Sequence, residues 1–439
     1  MEEDPSFKLI LLGRNSVDIA SIIRWGFEST KGEFTLGLFQ GIKSAFGVRA
    51  TPVASSFSSA HTKLDLASLL QRPARKIDQR AARKLIAGKR VVITGAGGTI
   101  GSELARQTVA FEPAKLVLID NAEFNLYQID LEMREAGHNG NVITALTDVC
   151  RREHLDRVFQ KIKPEVVIHA AAFKHVPIVE ENRCAGALTN VLGARNVFDA
   201  AIEAKAESVV FISTDKAVNP TSFMGATKRI AELYAQALDV AQNDTRFVTV
   251  RFGNVLGSTG SVAPLFERQI ANGGPVTITH PDISRYFMTT REAVQLVLQS
   301  ASLDSAEKSI VTHDGRIFVL DMGDPVRILD LAKGMIEAYG FKPGEDIEIK
   351  FTGLRPGEKL FEEIFLDTDK LVKTGADGVL LASPAMIDLP ILTPRFSDVI
   401  ESAISGDQEA LDEAVHYLVP EFRPTDEDGK VVEPRPISR

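Results

Sequence analysis

Cysteine is almost missing from this chain: Cys150 and Cys184 are the only two in 439 residues. Two thiols supply neither a disulfide framework nor a cysteine metal site, so they read as buried thiols of a reducing compartment, with no metal bound. A basic excess is missing as well. Lys and Arg number 50 against 59 Asp and Glu, for a net charge of -9, which excludes a nonspecific nucleic-acid or anionic-membrane binder. Any anionic ligand must then be met by local arginines and backbone donors. No apolar run approaches the roughly 18 to 20 residues that span a bilayer, and the opening Met1-Glu2-Glu3-Asp4 is the reverse of a basic secretory start. These absences predict a cytoplasmic protein without a transmembrane segment or a nucleic-acid partner.

What is present is the material of a core. With 44% hydrophobic and 25% charged residues, the chain suits one large globular domain plus additions. An apolar run at Leu9 to Leu12, an amphipathic pattern over Ile19 to Phe27 and a serine-rich linker from Arg49 to Lys63 mark residues 1–63 as an N-terminal extension without a readable fold. Past Gly88 the pattern is regular. Val91 to Thr94, Leu116 to Ile119, Val142 to Leu146, Val166 to His169, Val209 to Ser213 and Phe247 to Arg251 read as strands, and helical periodicity lies between them over 101–111, 125–136, 152–161, 185–204 and 224–241. Near-continuous apolar strands separated by helices imply a doubly wound α/β (Rossmann) parallel sheet covered on both faces. The expected organisation is a dinucleotide-binding domain over 64–252, a smaller substrate-binding lobe over 253–366 that returns some elements to the sheet, and a C-terminal extension over 367–439. Within the lobe, helices are expected over 291–301 and 325–339 and a strand over 317–320.

Gly95, Gly98 and Gly101 stand at spacing three directly between the first strand and its helix. Glycine permits a tight turn and close approach of the backbone to a pyrophosphate, and the helix start directs N–H groups and a positive dipole end at it. Asp120 ends the next strand, where a carboxylate accepts from the adenosine ribose hydroxyls and repels a 2′-phosphate. Asn121-Ala122-Glu123 supply no arginine to receive one, so the expected cofactor is NAD. Thr99 and Ile100 in the turn, Asn121, Asp148 and Val149 after the third strand, and Ala170, Ala171 and Ala172 after the fourth complete the expected contacts. The competing reading is a flavodoxin-like sheet with a solvated Asp120.

The run from Ser213 to Lys228 begins where the fifth strand ends. Strand carboxyl ends face the ligand crevice of an open α/β sheet, so Thr214, Asp215 and Lys216 emerge together beside the cofactor. Adjacent residues on an extended strand face opposite ways, so the chain must turn there, and Asn219-Pro220 favour it. Met224 and Lys228, four apart, share one helix face. The plainer reading of the tripeptide is a helix N-cap with a surface ion pair.

With these residues in hand, the chain from roughly Leu64 to Leu366 resembles the extended short-chain dehydrogenase/reductases, specifically the nucleotide-sugar 4,6-dehydratases of bacterial polysaccharide biosynthesis. The glycine turn carries the resemblance, together with the runs His169 to Pro177, Ser213 to Lys228, Arg251 to Ser258, Ser284 to Thr289 and Arg355 to Lys359. It implies a lyase acting on UDP-N-acetylglucosamine: hydride leaves sugar carbon 4, the ketone acidifies the carbon 5 proton, water departs from carbon 6 and the hydride returns there. By resemblance Asp215 is the acid for the carbon 6 hydroxyl, Lys216 the base at carbon 5, Thr214 the partner of the carbon 4 hydroxyl and Lys228 the contact to the nicotinamide ribose. Asp215 must then stay protonated and Lys216 neutral near neutral pH.

Family members generally carry tyrosine where this chain has Met224, and a thioether takes no proton. The branch that retains configuration at carbon 5 is similar to this sequence in having methionine there, so an ordered water is left to deprotonate the carbon 4 hydroxyl. Lys174 is expected to line the sugar pocket. Asn254, Arg285, Arg355 and Glu358 are expected on the diphosphate and uridine of the UDP-sugar, because guanidinium forks suit phosphate. The resemblance also implies a homo-oligomer. Long relatives have several membrane helices at the front, where this chain has none. Other readings are an epimerase or a carbon 5-inverting dehydratase, both of which would use tyrosine at 224, and a noncatalytic dinucleotide sensor, which has no need of an acid and a base.

Overall fold

The computed structural model describes residues 78–306, 315–365, 371–426 and 431. The expected extension and linker, residues 1–63, lie outside the described residues. Helix α1 (Gln79–Ile86) opens the described chain, with Asp78 as its N-cap accepting from Arg80 N at 2.9 Å. Then strand and helix alternate: β1 (Arg90–Thr94), α2 (Thr99–Val109), β2 (Lys115–Asp120), α3 (Glu123–Glu135), β3 (Val142–Leu146), α4 (Arg152–Ile162) and β4 (Val166–His169). The chain continues through α5 (Val176–Glu181), α6 (Arg183–Ala187), a π turn (Leu188–Leu192), α7 (Gly193–Glu203), β5 (Ser208–Thr214), a 3-10 turn (Asp215–Ala217), α8 (Phe223–Ala241) and β6 (Arg246–Phe252). All six expected strands are present.

In the lobe β7 (Asn254–Leu256), α9 (Val262–Ala271), β8 (Val276–Ile278), β9 (Ser284–Arg285) and β10 (Phe287–Thr289) precede α10 (Thr290–Ala306) and β11 (Ile317–Leu320). After these come β12 (Val326–Arg327), α11 (Ile328–Ala338), β13 (Ile349–Phe351), β14 (Val372–Lys373), β15 (Val379–Ala382), α12 (Leu389–Ser405) and α13 (Gln408–Leu418). The main sheet runs β14-β15-β11-β6-β5-β4-β1-β2-β3. From β3 to β11 every pairing is parallel, and β15 and β14 add an antiparallel edge.

Alternation along the strands builds two cores. Val92, Val117, Val167 and Val209 face α4, α7, α8 and α12, whereas Val91, Leu116, Val166 and Val210 face α1, α2, α3 and α10. Order reverses between β1 and β4, which puts the ligand crevice at the carboxyl ends of those strands. A third core, with Phe266, Ile278, Phe287 and Met335, belongs to the lobe.

Three details depart from the periodicity. The helix expected from 101 begins at Thr99, because Gly98 is its N-cap and the Gly98 carbonyl accepts from Ser102 N at 2.8 Å. The helix expected over 185–204 widens into the π turn at 188–192. There the Asn190 side chain accepts from Phe173 N at 2.8 Å and donates to Thr227 Oγ1 at 3.0 Å, the kind of inward reach such a bulge permits. The helix expected from 325 starts at Ile328, after β12 has paired with β9.

The segment beyond the recognised motifs is built into the same core. Leu392, Phe396 and Val399 of α12 are buried with Tyr234 and Leu238 of α8. Further ties run from Arg183 to Asp412 at 2.8 Å, from Arg229 to Glu421 at 3.5 Å, from Arg423 N to Pro220 O at 2.9 Å and from Gly357 N to Thr425 Oγ1 at 2.9 Å.

Candidate active site and cofactor cleft

The glycines of the turn do different work. Gly95 has φ +67°, and a Cβ there would lie 2.6 Å from Ala171 N; at Gly101 it would lie 1.9 Å from Gly95 O. Backbone packs on backbone at both places. At Gly98 the nearest atom to such a Cβ is Gly95 O at 3.3 Å, so the fold tolerates a methyl best at the position that opens α2. Thr99 and Ile100 form its first turn. Asp120 is held at both oxygens, accepting from Gly97 N and from Ala122 N at 2.9 Å each, and a carboxylate keeps further lone pairs for a ligand. Asn121 beside it is exposed. Ala170 N donates to Thr94 O at 3.1 Å, and Ala171 packs on Gly95. Asp148 Oδ1 accepts from Cys150 N, and the buried Val149 accepts from Asn196, both at 2.9 Å.

The lobe reaches over this turn. Thr259 N donates to Thr99 Oγ1 at 3.1 Å, and Thr259 O accepts from Lys174 Nζ at 3.2 Å. Gly260 at φ +72° lies so close to His175 that a Cβ would stand 2.5 Å from its Cε1. Lys174, expected in the sugar pocket, is thus engaged with the loop, and burial lowers its pKa.

At the end of β5 the chain does turn. Thr214 is extended and caps the 3-10 turn, its Oγ1 accepting from Lys216 N at 3.3 Å and donating to Asp215 Oδ1 at 2.9 Å. The turn brings Lys216 Nζ back to Asp215 Oδ1 at 3.0 Å, where it also donates to Asn254 Oδ1 at 3.3 Å. Gly225 and Gly253 make room: a Cβ would stand 2.1 Å from Lys216 O at the first and 2.8 Å from Asp215 Oδ2 at the second. Beneath them Ser213 and Arg251 both bond the buried Glu232, at 2.6 and 2.7 Å to Oε1, bracing β5 against β6.

Asp215 is fully buried, and its Oδ2 has no hydrogen-bond partner among the described residues. Burial pushes its carboxyl above the usual range, and Glu362 adds to this against the opposing pull of Lys216. Lys216 corrects the sequence reading. Burial disfavours its ammonium, but Asp215 and Glu362, the latter 3.2 Å away, outweigh burial and hold its pKa above the ordinary value. The amine is therefore charged, not neutral, in this arrangement.

Glu362 was not singled out from sequence. It lies in an irregular loop past Arg355 to Lys359, and its only signal was a pair of acids among apolar Leu360, Phe361 and Ile364.

Met224 is buried in the core with Phe223 and Val191. Lys228 donates to Ile212 O at 2.8 Å and sits 4.0 Å above the Phe211 ring; burial, opposed by Glu232, lowers its pKa to about 7. Arg285 is buried and directs its donors inward, to Ser284 O at 2.7 Å, Leu360 O at 3.3 Å, and Glu358 and Glu362 at 3.5 Å each. Glu358 also accepts from Thr279 Oγ1 at 3.2 Å and Arg355 N at 3.1 Å. The Arg355 residue itself is exposed. Among the described residues no cluster of His, Cys, Asp or Glu could hold a metal ion, and no helix is long and apolar enough to cross a membrane.

Residues 91–384 match the family described as polysaccharide biosynthesis protein. The chain belongs to this family. Within it, the chain is 46% identical over 303 residues to the capsular polysaccharide biosynthesis protein CapD of Staphylococcus aureus, covering 69% of this chain and 49% of that one. It thus spans about half the length of that relative. It is 31% identical over 303 residues to a UDP-N-acetylglucosamine 4,6-dehydratase (inverting) of Campylobacter jejuni, covering 68% and 84% of the two chains. Among solved structures, Pen from Bacillus thuringiensis superimposes with a TM-score of 0.61 at 32% identity, over 69% of this chain and 89% of Pen. The fold is the Rossmann-like fold of the short-chain dehydrogenase/reductases.

Proposed function

We propose that this chain catalyses the NAD-dependent 4,6-dehydration of UDP-N-acetylglucosamine, with configuration at carbon 5 retained, for a bacterial surface polysaccharide. One observation carries the reading: a buried carboxyl, Asp215, and the Lys216 amine stand 3.0 Å apart on one turn at the carboxyl end of β5, as an elimination needing an acid and a base requires. The Campylobacter jejuni relatives named as UDP-N-acetylglucosamine 4,6-dehydratases support the substrate class.

The cradle fits a dinucleotide, since Gly95 and Gly101 exclude side chains where a Cβ would strike backbone. Gly95, Gly98, Thr99, Ile100 and Gly101 would hold its pyrophosphate, Asp120 and Asn121 a ribose, Asp148 and Val149 the adenine, Ala170 to Ala172 the adjoining wall and Lys228 the nicotinamide ribose. NAD held there would supply the hydride acceptor for sugar carbon 4 and the hydride donor for carbon 6. Asp215 delivers its proton to the departing carbon 6 hydroxyl, so that water leaves. Lys216, once it has shed a proton, takes the one on carbon 5 and returns it to the same face. Thr214 positions the carbon 4 hydroxyl, and Met224 makes an ordered water the first acceptor of that hydroxyl's proton, which replaces the one Asp215 has given up. Asn254, Arg355 and Glu358 face the UDP portion; Arg285 holds the loop that carries Glu358, and Lys174 holds the loop above the cofactor turn. The enzyme works as a cytoplasmic homo-oligomer.

Purified full-length chain incubated with NAD and UDP-N-acetylglucosamine tests this. Mass spectrometry should show loss of one water and NMR a retained carbon 5. Unchanged substrate sinks the dehydratase reading, an epimer points to the epimerase, and inversion rejects the retaining subtype.

A further inference from the structure

We propose that Glu362 is a positioning residue that governs how the acid Asp215 and the base Lys216 share their protons, from a loop remote in sequence from both. The inference rests on the dehydratase reading above.

The Glu362 side chain is 2% exposed, with Oε1 3.2 Å from Lys216 Nζ and 3.5 Å from Arg285 Nε. Its Oε2 is buried and has no hydrogen-bond partner among the described residues. Arg285 fixes the carboxylate from behind, itself anchored to Ser284 O and Leu360 O. Glu362 is therefore a fixed negative charge, held ionised against burial by Lys216, Arg285 and Lys359.

Two carboxyl groups and one amine meet at the catalytic turn, Asp215 and Lys216 on the turn itself and Glu362 reaching in from its own loop. Asp215 is faced by Lys216 and Glu362; Lys216 is faced by Asp215, Glu362 and Arg285. A fixed anion favours the proton-bearing form of every neighbour, so Glu362 raises the proton affinity of Asp215 and of Lys216 at once, adding to burial at Asp215 and opposing it at Lys216. The elimination needs the first and opposes the second: it requires a carboxyl and a free amine. In that step the Asp215 proton leaves on the carbon 6 oxygen and the carbon 5 proton arrives on Nζ, so the pair ends as carboxylate and ammonium with its proton count unchanged. Activity then rises as pH falls through the Lys216 titration and is lost as pH falls through that of Asp215. Glu362 sets both limits in the same direction.

The test is the pH profile of kcat/KM for UDP-N-acetylglucosamine dehydration by the full chain with NAD. Glu362→Gln should move both limbs of the bell to lower pH, by on the order of one unit. Glu362→Asp, which keeps the charge but draws it back by one methylene, should move both the same way by less, and serves should the Gln variant not fold. A readout independent of turnover is competitive acetylation of Lys216 with acetic anhydride across pH, followed by mass spectrometry; its midpoint should fall in Glu362→Gln. A merely structural Glu362 would lower the rate and leave both limbs and the labelling midpoint in place, and that result, or limbs moving apart, overturns the proposal. A wild-type chain that makes no product sinks the dehydratase reading alone, because the labelling midpoint still decides whether Glu362 governs Lys216.

Discussion

Gly253 is the residue that leaves space for Asp215: a Cβ at position 253 would stand 2.8 Å from Asp215 Oδ2 and 3.2 Å from Tyr286 Cβ. The carboxyl oxygen without a partner is the one pressed against this glycine. Gly253→Ala must displace Asp215 or the β9–β10 corner. A displacement near 1 Å predicts a fall in kcat on the order of 10²-fold, with stability reduced by about 1 to 3 kcal/mol, read by steady-state kinetics and urea denaturation of the same preparation.

Asp215→Asn should separate activity from stability. The folded protein holds the Asp215 proton to higher pH than the unfolded chain does, so wild-type stability falls as pH rises from the ordinary carboxyl range toward the raised folded value. The amide has no such slope. At neutral pH the variant should be at least as stable as wild type while kcat drops by about 10²- to 10⁴-fold, with bound NAD retained. Denaturation midpoints compared on the two sides of the carboxyl range check the first expectation, and product formation the second.

Lys228 works in the opposite sense. Its pKa falls from 10.5 to about 7 in the folded protein, so between those values the unfolded chain binds more protons and stability rises with pH. Lys228→Met should remove that rise, which amounts to a few kcal/mol at the order-of-magnitude level, and should weaken NAD. Parallel urea titrations of the two proteins at about pH 7 and 9 give the slope; an identical slope in both counts against a buried, neutral-leaning amine.

The turn glycines should divide into two classes. Gly101→Ala puts a methyl 1.9 Å from Gly95 O and is expected to prevent a stable fold. Gly98→Ala meets nothing nearer than 3.3 Å, so it should fold with a Tm near wild type and lose NAD affinity. Fluorescence quenching by NAD beside a thermal melt distinguishes these outcomes.

Met224→Leu conserves volume within the core and removes no proton-transferring group, so it should cost under about 1.5 kcal/mol and preserve activity within several-fold. Met224→Tyr overpacks a buried site and should lose stability by about 1 to 3 kcal/mol without a gain in rate. A faster Tyr variant would show that the site accommodates a phenolic base.

The sheet was legible because its strands are buried on both faces, as at Val91 to Ile93 and Leu116 to Ile119, and read as apolar runs whatever their neighbours. The cofactor turn was legible because spacing and strand-helix context are both local. The lobe was less so. Apart from β11, which joins the main sheet and was expected, its strands are two or three residues long, and β13 pairs with β8 across the whole of α10 and α11, too short for a period and too distant for a turn rule. The trio at 214–216 could be found, but not its charge state. That depends on Asp215, the neighbour in sequence, together with Glu362 arriving from another element, and only the first of these is local to Lys216. Arg285 was read as a phosphate ligand for the same reason: sequence shows a guanidinium in a motif, whereas only packing shows that Ser284, Leu360 and two glutamates take up its donors.

The ties between the last helices and the rest of the molecule carry a consequence for lesions far from the chemistry. Arg423 bonds the carbonyl of Pro220, just after the catalytic turn, and Thr425 bonds Gly357, in the loop that delivers Glu358 and Glu362. Chain loss after residue 384, where the family match stops, would bare the α8 flank and release both walls of the cleft together. A late stop codon in this gene would thus imitate an active-site null while sparing every residue that handles a proton.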